Sequence, residues 1–388
     1  MRHPSPFVWE IVEAEDGAWE ELTAGPPEAG TPRCRGAPWA IVAGVVSVLT
    51  LVFGLRLWQK AEQGAALVEH DIGQVVQLET VQRRLQASSS LEDAAMQSVE
   101  FNFTGAMARV VVTTTTPDGQ IITYTETRFY QRVPWRWERC APLPSFWGRA
   151  AAFDTPTLHF TYFARDQAFV DLYAPALDMY HQAVRTLLGL PPLAESARIT
   201  IELVPAMRSS PVADAGDRIV QLSPLLFPAS VTASEGALAE EMLQSALLKR
   251  ALGEALAAHP IRPEWTSSIT RLEMWIMAHA GQLPALVAGD SASVQTWTHP
   301  ATRYALASLH HAYVADSARG YAEYRNPHIT AAVFAFYDFA AFHTGAAAGP
   351  ALLTAFEHCD DWEEVATTVT GMSVAELEVA WRAYQRVL

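Results

Sequence analysis

Glu240, Glu241 and Gln244 stand in the run Leu238-Ala-Glu-Glu-Met-Leu-Gln-Ser-Ala-Leu-Leu248, whose apolar spacing is that of a helix. Residues four apart project from one helix face, so Glu240 and Gln244 form a pair with Glu241 beside its first member. When both members of such a pair are histidine, the spacing holds Zn²⁺ and the adjacent Glu serves as general base, as in His-Glu-x-x-His. Here the pair supplies a carboxylate and an amide, an oxygen set better suited to Ca²⁺ or Mg²⁺ than to Zn²⁺, and then only if more oxygens converge. The same letters also occur on the solvated face of an ordinary amphipathic helix, so the surrounding elements decide between the two readings.

Those elements come in a recognisable order. Leu158-His-Phe-Thr-Tyr-Phe-Ala-Arg-Asp166 reads as a strand, and Phe169 to Leu190 as a helix stopped by Gly189, Pro191 and Pro192. Ala197 to Pro205 alternates with period two, and Arg218 to Ser223 gives another short strand. The Glu240 helix follows, and Ile261-Arg-Pro-Glu-Trp265 opens a second one. Phe342-His-Thr-Gly345, Val369-Thr-Gly-Met-Ser373 and Leu377-Glu-Val-Ala-Trp-Arg-Ala-Tyr384 close the chain. Gly371 ends a helix there, and Ser373 with Glu376 makes a capping box for the next.

In this order and in these segments, residues 156–388 resemble the peptidase MA-like group of gluzincins, the thermolysin-like metallopeptidases. The resemblance implies an α+β domain: a short mixed sheet followed by a helical bundle, with a substrate cleft between an edge strand and the Glu241 helix. It also implies a degenerate zinc motif. Glu240 and Gln244 take the histidine positions, Ser268 takes the place of the third ligand, and Glu241 keeps the place of a vestigial general base. Ser268 is a poor zinc ligand. Glu273, one turn further on, is the substitute at hand, and Trp265 and Glu273 are expected at the binding face. No cofactor is expected on this reading, or zinc if the alternative holds.

Other chemistry finds little support in the sequence. His310 and His311 are adjacent, so on a helix they point about 100° apart. His259, His279 and His343 stand alone, as core or surface histidines do. The sequence has no His-x-x-His, Cys-x-x-Cys, Gly-x-Ser-x-Gly or Gly-x-x-x-x-Gly-Lys-Ser/Thr pattern. A net charge of −15 argues against nucleic acid, which demands a basic face. Of the three cysteines, Cys140 and Cys359 either form a disulfide or remain two free thiols; Cys34 stands apart.

Ala37 to Leu55 is an uncharged, mostly apolar run of membrane-spanning length, with nothing comparable elsewhere. Arg33, Arg35, Arg56 and Lys60 flank it, and Trp39 and Trp58 stand at its ends. Residues 37–58 are therefore expected to form a single transmembrane helix acting as a signal anchor. Residues 1–36, acidic and proline-containing, would be a disordered cytoplasmic tail, and everything after residue 58 would lie outside the cell membrane. A cleaved signal peptide is the competing reading, but the leader is too long and acidic for one.

Residues 65–150 read as a small α+β domain. Ala65 to Ala87 is helical and broken by Ser88-Ser-Ser90; Val99 to Thr116 and Gln120 to Val133 are strands, and Pro117-Asp-Gly119 is their hairpin turn. This order resembles the nuclear-transport-factor-like and SnoaL-like cones in topology. The aromatics and arginines between Glu126 and Gly148 would either line a ligand-binding wall or pack the sheet and seam, and packing is favoured. The expected whole is a bacterial-type, single-pass membrane protein whose extracytoplasmic part is a pseudo-metallopeptidase. Its partners would be the lipid bilayer and a peptide or protein ligand, bound by strand addition. The alternatives are an active membrane-bound metallohydrolase using Glu240, Glu241 and Glu273, and a structural envelope or assembly factor.

Overall fold

The computed structural model describes residues 37–86, 92–116, 118–206, 212–216, 218–230, 236–287 and 327–387. The N-terminal tail with Cys34, the Ser88-Ser-Ser90 break, Pro117 and the His310-His311 pair lie outside them. The chain divides into two units, residues 1–64 and 65–388. What is described of the first is helical: α1 (Ala37–Gln86) begins in it and continues without interruption into the second. Val45, Val46, Val48, Leu49, Leu51, Val52, Phe53, Leu55, Leu57 and Trp58 are all exposed on this helix.

Residues 65–86 of α1 cover a sheet of β1 (Glu92–Phe101), β2 (Ala106–Thr115), β3 (Ile121–Val133) and β4 (Arg136–Cys140). Ile72 and Val76 on the helix meet Ala94, Ala106, Ala108, Val110, Val112 and Tyr130 on the sheet in one apolar cluster. The strand expected over Val99 to Thr116 is in fact two strands. Asn102 breaks it by accepting, through Oδ1, hydrogen bonds from the backbone N–H of Thr104 at 2.8 Å and of Gly105 at 3.1 Å. Such Asx chemistry turns a chain as readily as glycine does, and Gly105 has no room for a side chain, since a Cβ there would sit 2.4 Å from the Tyr130 carbonyl oxygen. Of the hairpin turn expected at Pro117-Asp-Gly119, Asp118 and Gly119 lie between β2 and β3; Gly119 is at φ +82° and donates to the Thr116 carbonyl at 2.9 Å.

A second sheet has the order β5 (Ala150–Asp154), β6 (Leu158–Phe163), β7 (Ile199–Val204), β9 (Arg218–Leu222), β8 (Val212–Asp214). β6, β7 and β9 are parallel, with an antiparallel strand at each edge. α2 (Gln167–Leu187) makes the crossover from β6 to β7. It is tied to the β5–β6 turn by Asp178, whose Oδ1 accepts from the hydroxyls of Thr155 (2.6 Å) and Thr157 (2.8 Å) and from the Thr157 amide. A two-residue strand, β10 (Ala229–Ser230), leaves this part of the chain and pairs with β3 of the first sheet. Residues on both sides of position 150 therefore belong to one compact unit.

The remainder is helical: α3 (Ala237–Ala258), α4 (Thr266–Ala278), α5 (Leu283–Val287), α6 (Pro327–Thr344), α7 (Ala348–His358), α8 (Trp362–Thr370) and α9 (Val374–Val387). The molecule is thus α+β, with two small sheets and a helical C-terminal part. Gly371 takes a left-handed conformation after α8, and Ser373 and Glu376 exchange the hydrogen bonds of a capping box.

One stretch among the described residues, Ile329–His358, is long and apolar enough by composition to cross a membrane. This corrects the expectation that the Ala37–Leu55 run has no counterpart. Val333, Phe336, Phe339, Leu353 and Phe356 from this stretch fill the main core, as an all-round apolar helix in a folded domain does. No N-terminal stretch passes the same test among the described side chains, which begin at Ala43 and so omit the start of the apolar run.

Candidate functional site

α3 buries Ala239, Leu243, Leu247, Leu248, Ala251, Leu252 and Ala255, which fixes where its polar residues point. Glu240 and Gln244 are half-buried and turned to one another, the Gln244 amide donating to Glu240 Oε1 at 3.1 Å. Burial raises the Glu240 carboxyl above its ordinary range, consistent with a neutral amide as its neighbour instead of a cation. Glu241, one residue on, is exposed.

Glu241 and Glu273 line one groove of about 520 Å³, together with Met242, Met274, Met277 and Phe334. Its walls are helices α3, α4 and α6, and no residue of the edge strand β8 lines it. The expected cleft between edge strand and Glu241 helix is therefore replaced, at Glu241, by a helix-walled groove with an acidic rim and a thioether floor. Lys249 approaches Glu273 at 3.7 Å.

The other expected site residues are elsewhere. Ser268 is fully buried, and its carbonyl accepts from the Tyr337 hydroxyl at 2.8 Å. Trp265, expected at the binding face, is in the core instead: it is 1% exposed, stacked on Phe356, edge-on to Trp362, and donates its indole N–H to the Cys359 carbonyl at 2.9 Å. A tryptophan so placed is satisfied at both its apolar body and its polar tip. Cys140 and Cys359 are both free thiols, the second buried beside Thr368.

His259 pairs with Glu357 at 3.3 Å, and His279 lies 3.4 Å from Asp338, which accepts from the Trp275 indole at 2.7 Å. Among the described residues no group of three or more His, Cys, Asp and Glu is gathered as a metal would need. Part of the aromatic and arginine segment packs: Phe129, Phe146 and Trp147 form a small core with Met107, while Trp135 is fully exposed. Arg128, fully buried, is met by Glu79 at 3.0 Å and by Glu126 and Glu92.

One feature carried no signal in the sequence. Asp166, 2% exposed, accepts from the Ser223 hydroxyl at 2.6 Å, and that hydroxyl accepts from the Trp147 indole at 2.9 Å. Burial pushes the Asp166 carboxyl up to about 6, against the opposing pull of Ser223 and Arg165. Its residue lies against a cavity of about 570 Å³ bordered by Arg109, Thr125, Tyr173 and Phe227, between the first sheet and α2. Asp166 Oδ2 has no surface open to that cavity and no hydrogen-bond partner among the described residues, so the chain Trp147–Ser223–Asp166 serves to join the two sheets.

Set against models of known families, curated proteins and solved structures, the chain finds no match in any of the three.

Proposed function

We propose that this protein is a membrane-anchored, peptidase-like binding protein that holds a peptide or protein segment without hydrolysing it. The observation that carries the reading is the Glu240–Gln244 hydrogen bond. The two positions that a zinc motif would commit to metal satisfy each other, and Ser268, the position of the third ligand, is enclosed beneath Tyr337. Zinc hydrolysis needs three protein ligands and an open water position; these side chains supply neither. The Glu241 and Glu273 groove keeps the means of recognition, because methionines adapt to varied apolar partners and two carboxylates favour basic ones. An amphipathic segment with apolar and Lys or Arg residues fits that chemistry, laid in the groove as a helix. The exposed apolar residues of α1 from Val45 to Trp58 support the anchor, which we orient with the N-terminus in the cytoplasm and residues 65–388 outside.

Full-length protein in detergent is assayed for zinc by mass spectrometry and titrated with basic amphipathic peptides. The expected result is binding without cleavage and without stoichiometric metal. Glu241→Lys with Glu273→Lys should weaken binding by about tenfold, equivalent to ~1.4 kcal/mol. Stoichiometric zinc that is lost in Glu240→Ala/Glu241→Ala, or peptide cleavage abolished by Glu241→Gln, would establish the active metallohydrolase in its place. Absence of both binding and metal would leave an assembly factor.

A further inference from the structure

Within residues 65–388, α1 runs antiparallel to β1. Arg83 meets Glu92 at 2.7 Å and Arg84 meets Asp93 at 3.2 Å at the start of the strand, while Gly73 lies beside Met96 in its middle. The Ala65 end of the helix therefore lies toward Phe101, where β1 ends. The sheet register places two turns at this same end: Phe101 is opposite Ala106, Ala106 opposite Tyr130, and Val133 opposite Arg136. The β1–β2 turn and the β3–β4 turn are thus neighbours, and the β2–β3 turn before Ile121 is at the far end.

Each of the two neighbouring turns carries a bare aromatic ring at its tip. Phe103 and Trp135 are fully exposed, at 110% and 100%, and Arg132 and Arg136 beside Trp135 are exposed as well. Single exposed apolar residues are common, but these two differ from that background. Trp135 is the one non-glycine residue with positive φ, 76°, among those described. Such a conformation is unfavourable for an aromatic residue and points to function. The Phe103 turn is braced by Asn102 and by a 2.6 Å contact between the Thr104 and Ser145 hydroxyls. The fold therefore holds both rings out in water, at the end where the chain enters.

We infer that Phe103 and Trp135 are interfacial anchors that enter the headgroup layer of the bilayer carrying α1. The inference rests on the membrane-anchored reading above. Residues 59–64 alone join Trp58 to Ala65, seven steps that even fully extended span no more than about 25 Å, so the chain-entry end of the sheet stays near the membrane surface. A tryptophan ring, apolar with one polar edge, and flanking arginines suit that layer.

Full-length protein is reconstituted in phosphatidylcholine and phosphatidylserine vesicles, with an environment-sensitive fluorophore on Phe103→Cys, Trp135→Cys or Ile121→Cys, after replacement of Cys34, Cys140 and Cys359 by alanine. Ile121, 73% exposed, reports the opposite end of the sheet. The expected result is quenching by doxyl lipid and several-fold protection from iodide at 103 and 135, and neither at 121. Equal iodide access at all three positions in a chain that resists carbonate extraction overturns the inference and leaves the anchor standing. Iodide protection without doxyl quenching marks a protein contact and overturns the lipid assignment. Extraction of the whole chain by carbonate overturns the anchor itself, and the inference with it.

Discussion

Asp166 and His181 are buried with their proton affinities displaced in opposite directions. Burial lowers His181 from 6.5 to about 4, helped by Arg185 and Arg250 and opposed by Asp178 and Glu254, while its Nδ1 lies 3.0 Å from the Thr157 hydroxyl. Asp166 rises from 3.8 to about 6. Between these limits folded Asp166 holds more proton than the unfolded chain does, so its contribution is full below pH 3.8 and is lost as pH rises through 6. Folded His181 holds less, so its contribution is full above pH 6.5 and is lost as pH falls through 4. Each shift corresponds to roughly 3 kcal/mol, and between pH 4 and 6 the two slopes oppose. These two groups together should therefore change the wild-type thermal midpoint little over that range. Asp166→Asn should show stability that climbs with pH, and His181→Gln stability that falls; three parallel profiles would refute the assignment. Neither residue stood out in the sequence, because burial is set by partners far along the chain: Ser223 for Asp166 and Thr157 for His181. Glu241 and Glu273 do line one groove, but it was the family resemblance that brought them together, since periodicity places a residue on a helix face without saying which helices meet. Trp265 was misplaced because a tryptophan at the start of a helix reads alike whether it lines a cleft or fills a core.

Elements were legible where local chemistry sets them. β6, β7 and β9 alternate or run apolar, and the Gly371 that ends α8 and the Ser373–Glu376 box that opens α9 are written in the sequence; the Asp361 cap of α8, accepting from the amides of Glu363 and Glu364, was not read there. β8 and β10 have three residues and two, too few for a period, and β5 reads Ala-Ala-Ala-Phe-Asp, a poor strand former that pairing with β6 holds in place. Helix-to-helix distance is a property of the same kind, invisible in the sequence. Gly349 in α7 touches the end of α2, and a Cβ on it would fall 1.7 Å from the Leu187 carbonyl oxygen, which is backbone and cannot rotate aside. Gly253 in α3 has nothing within 4 Å. Alanine favours a helix interior by up to ~1 kcal/mol over glycine, so Gly253→Ala should stabilise the protein modestly. Gly349→Ala should destabilise it by about 1–3 kcal/mol or more, the cost of an overpacked contact. Denaturant midpoints decide it; equal gains in both variants would mean that α2 and α7 do not approach so closely.

At the scale of the whole molecule, the sequence sets the apolar run at Ala37–Leu55 apart from the residues after it, whereas the chain divides at Gly64 and a second long apolar stretch lies at Ile329–His358. The helix expected over Ala65 to Ala87 is the second part of α1, and the second unit begins at Ala65; the sequence did not show that this helix continues unbroken from the one at Ala37. The apolar clusters decide where the folded part begins. The earliest residue packed in any of them is Val68, followed by Ile72, Val75 and Val76, and Glu79 supplies a carboxylate to the fully buried Arg128. A chain beginning at residue 65 keeps all of these contacts. One beginning at residue 92 uncovers Ala94, Ala108, Val110 and Val112 and takes from Arg128 one of its three carboxylates, leaving Glu126 and Glu92. Residues 65–388 should therefore be soluble without detergent and melt cooperatively within a few degrees of the full-length protein, while residues 92–388 should aggregate or melt without a transition. Gel filtration and calorimetry on the two fragments test this. If both fold alike, residues 65–86 are a connector; if neither folds, the unit requires residues before Ala65.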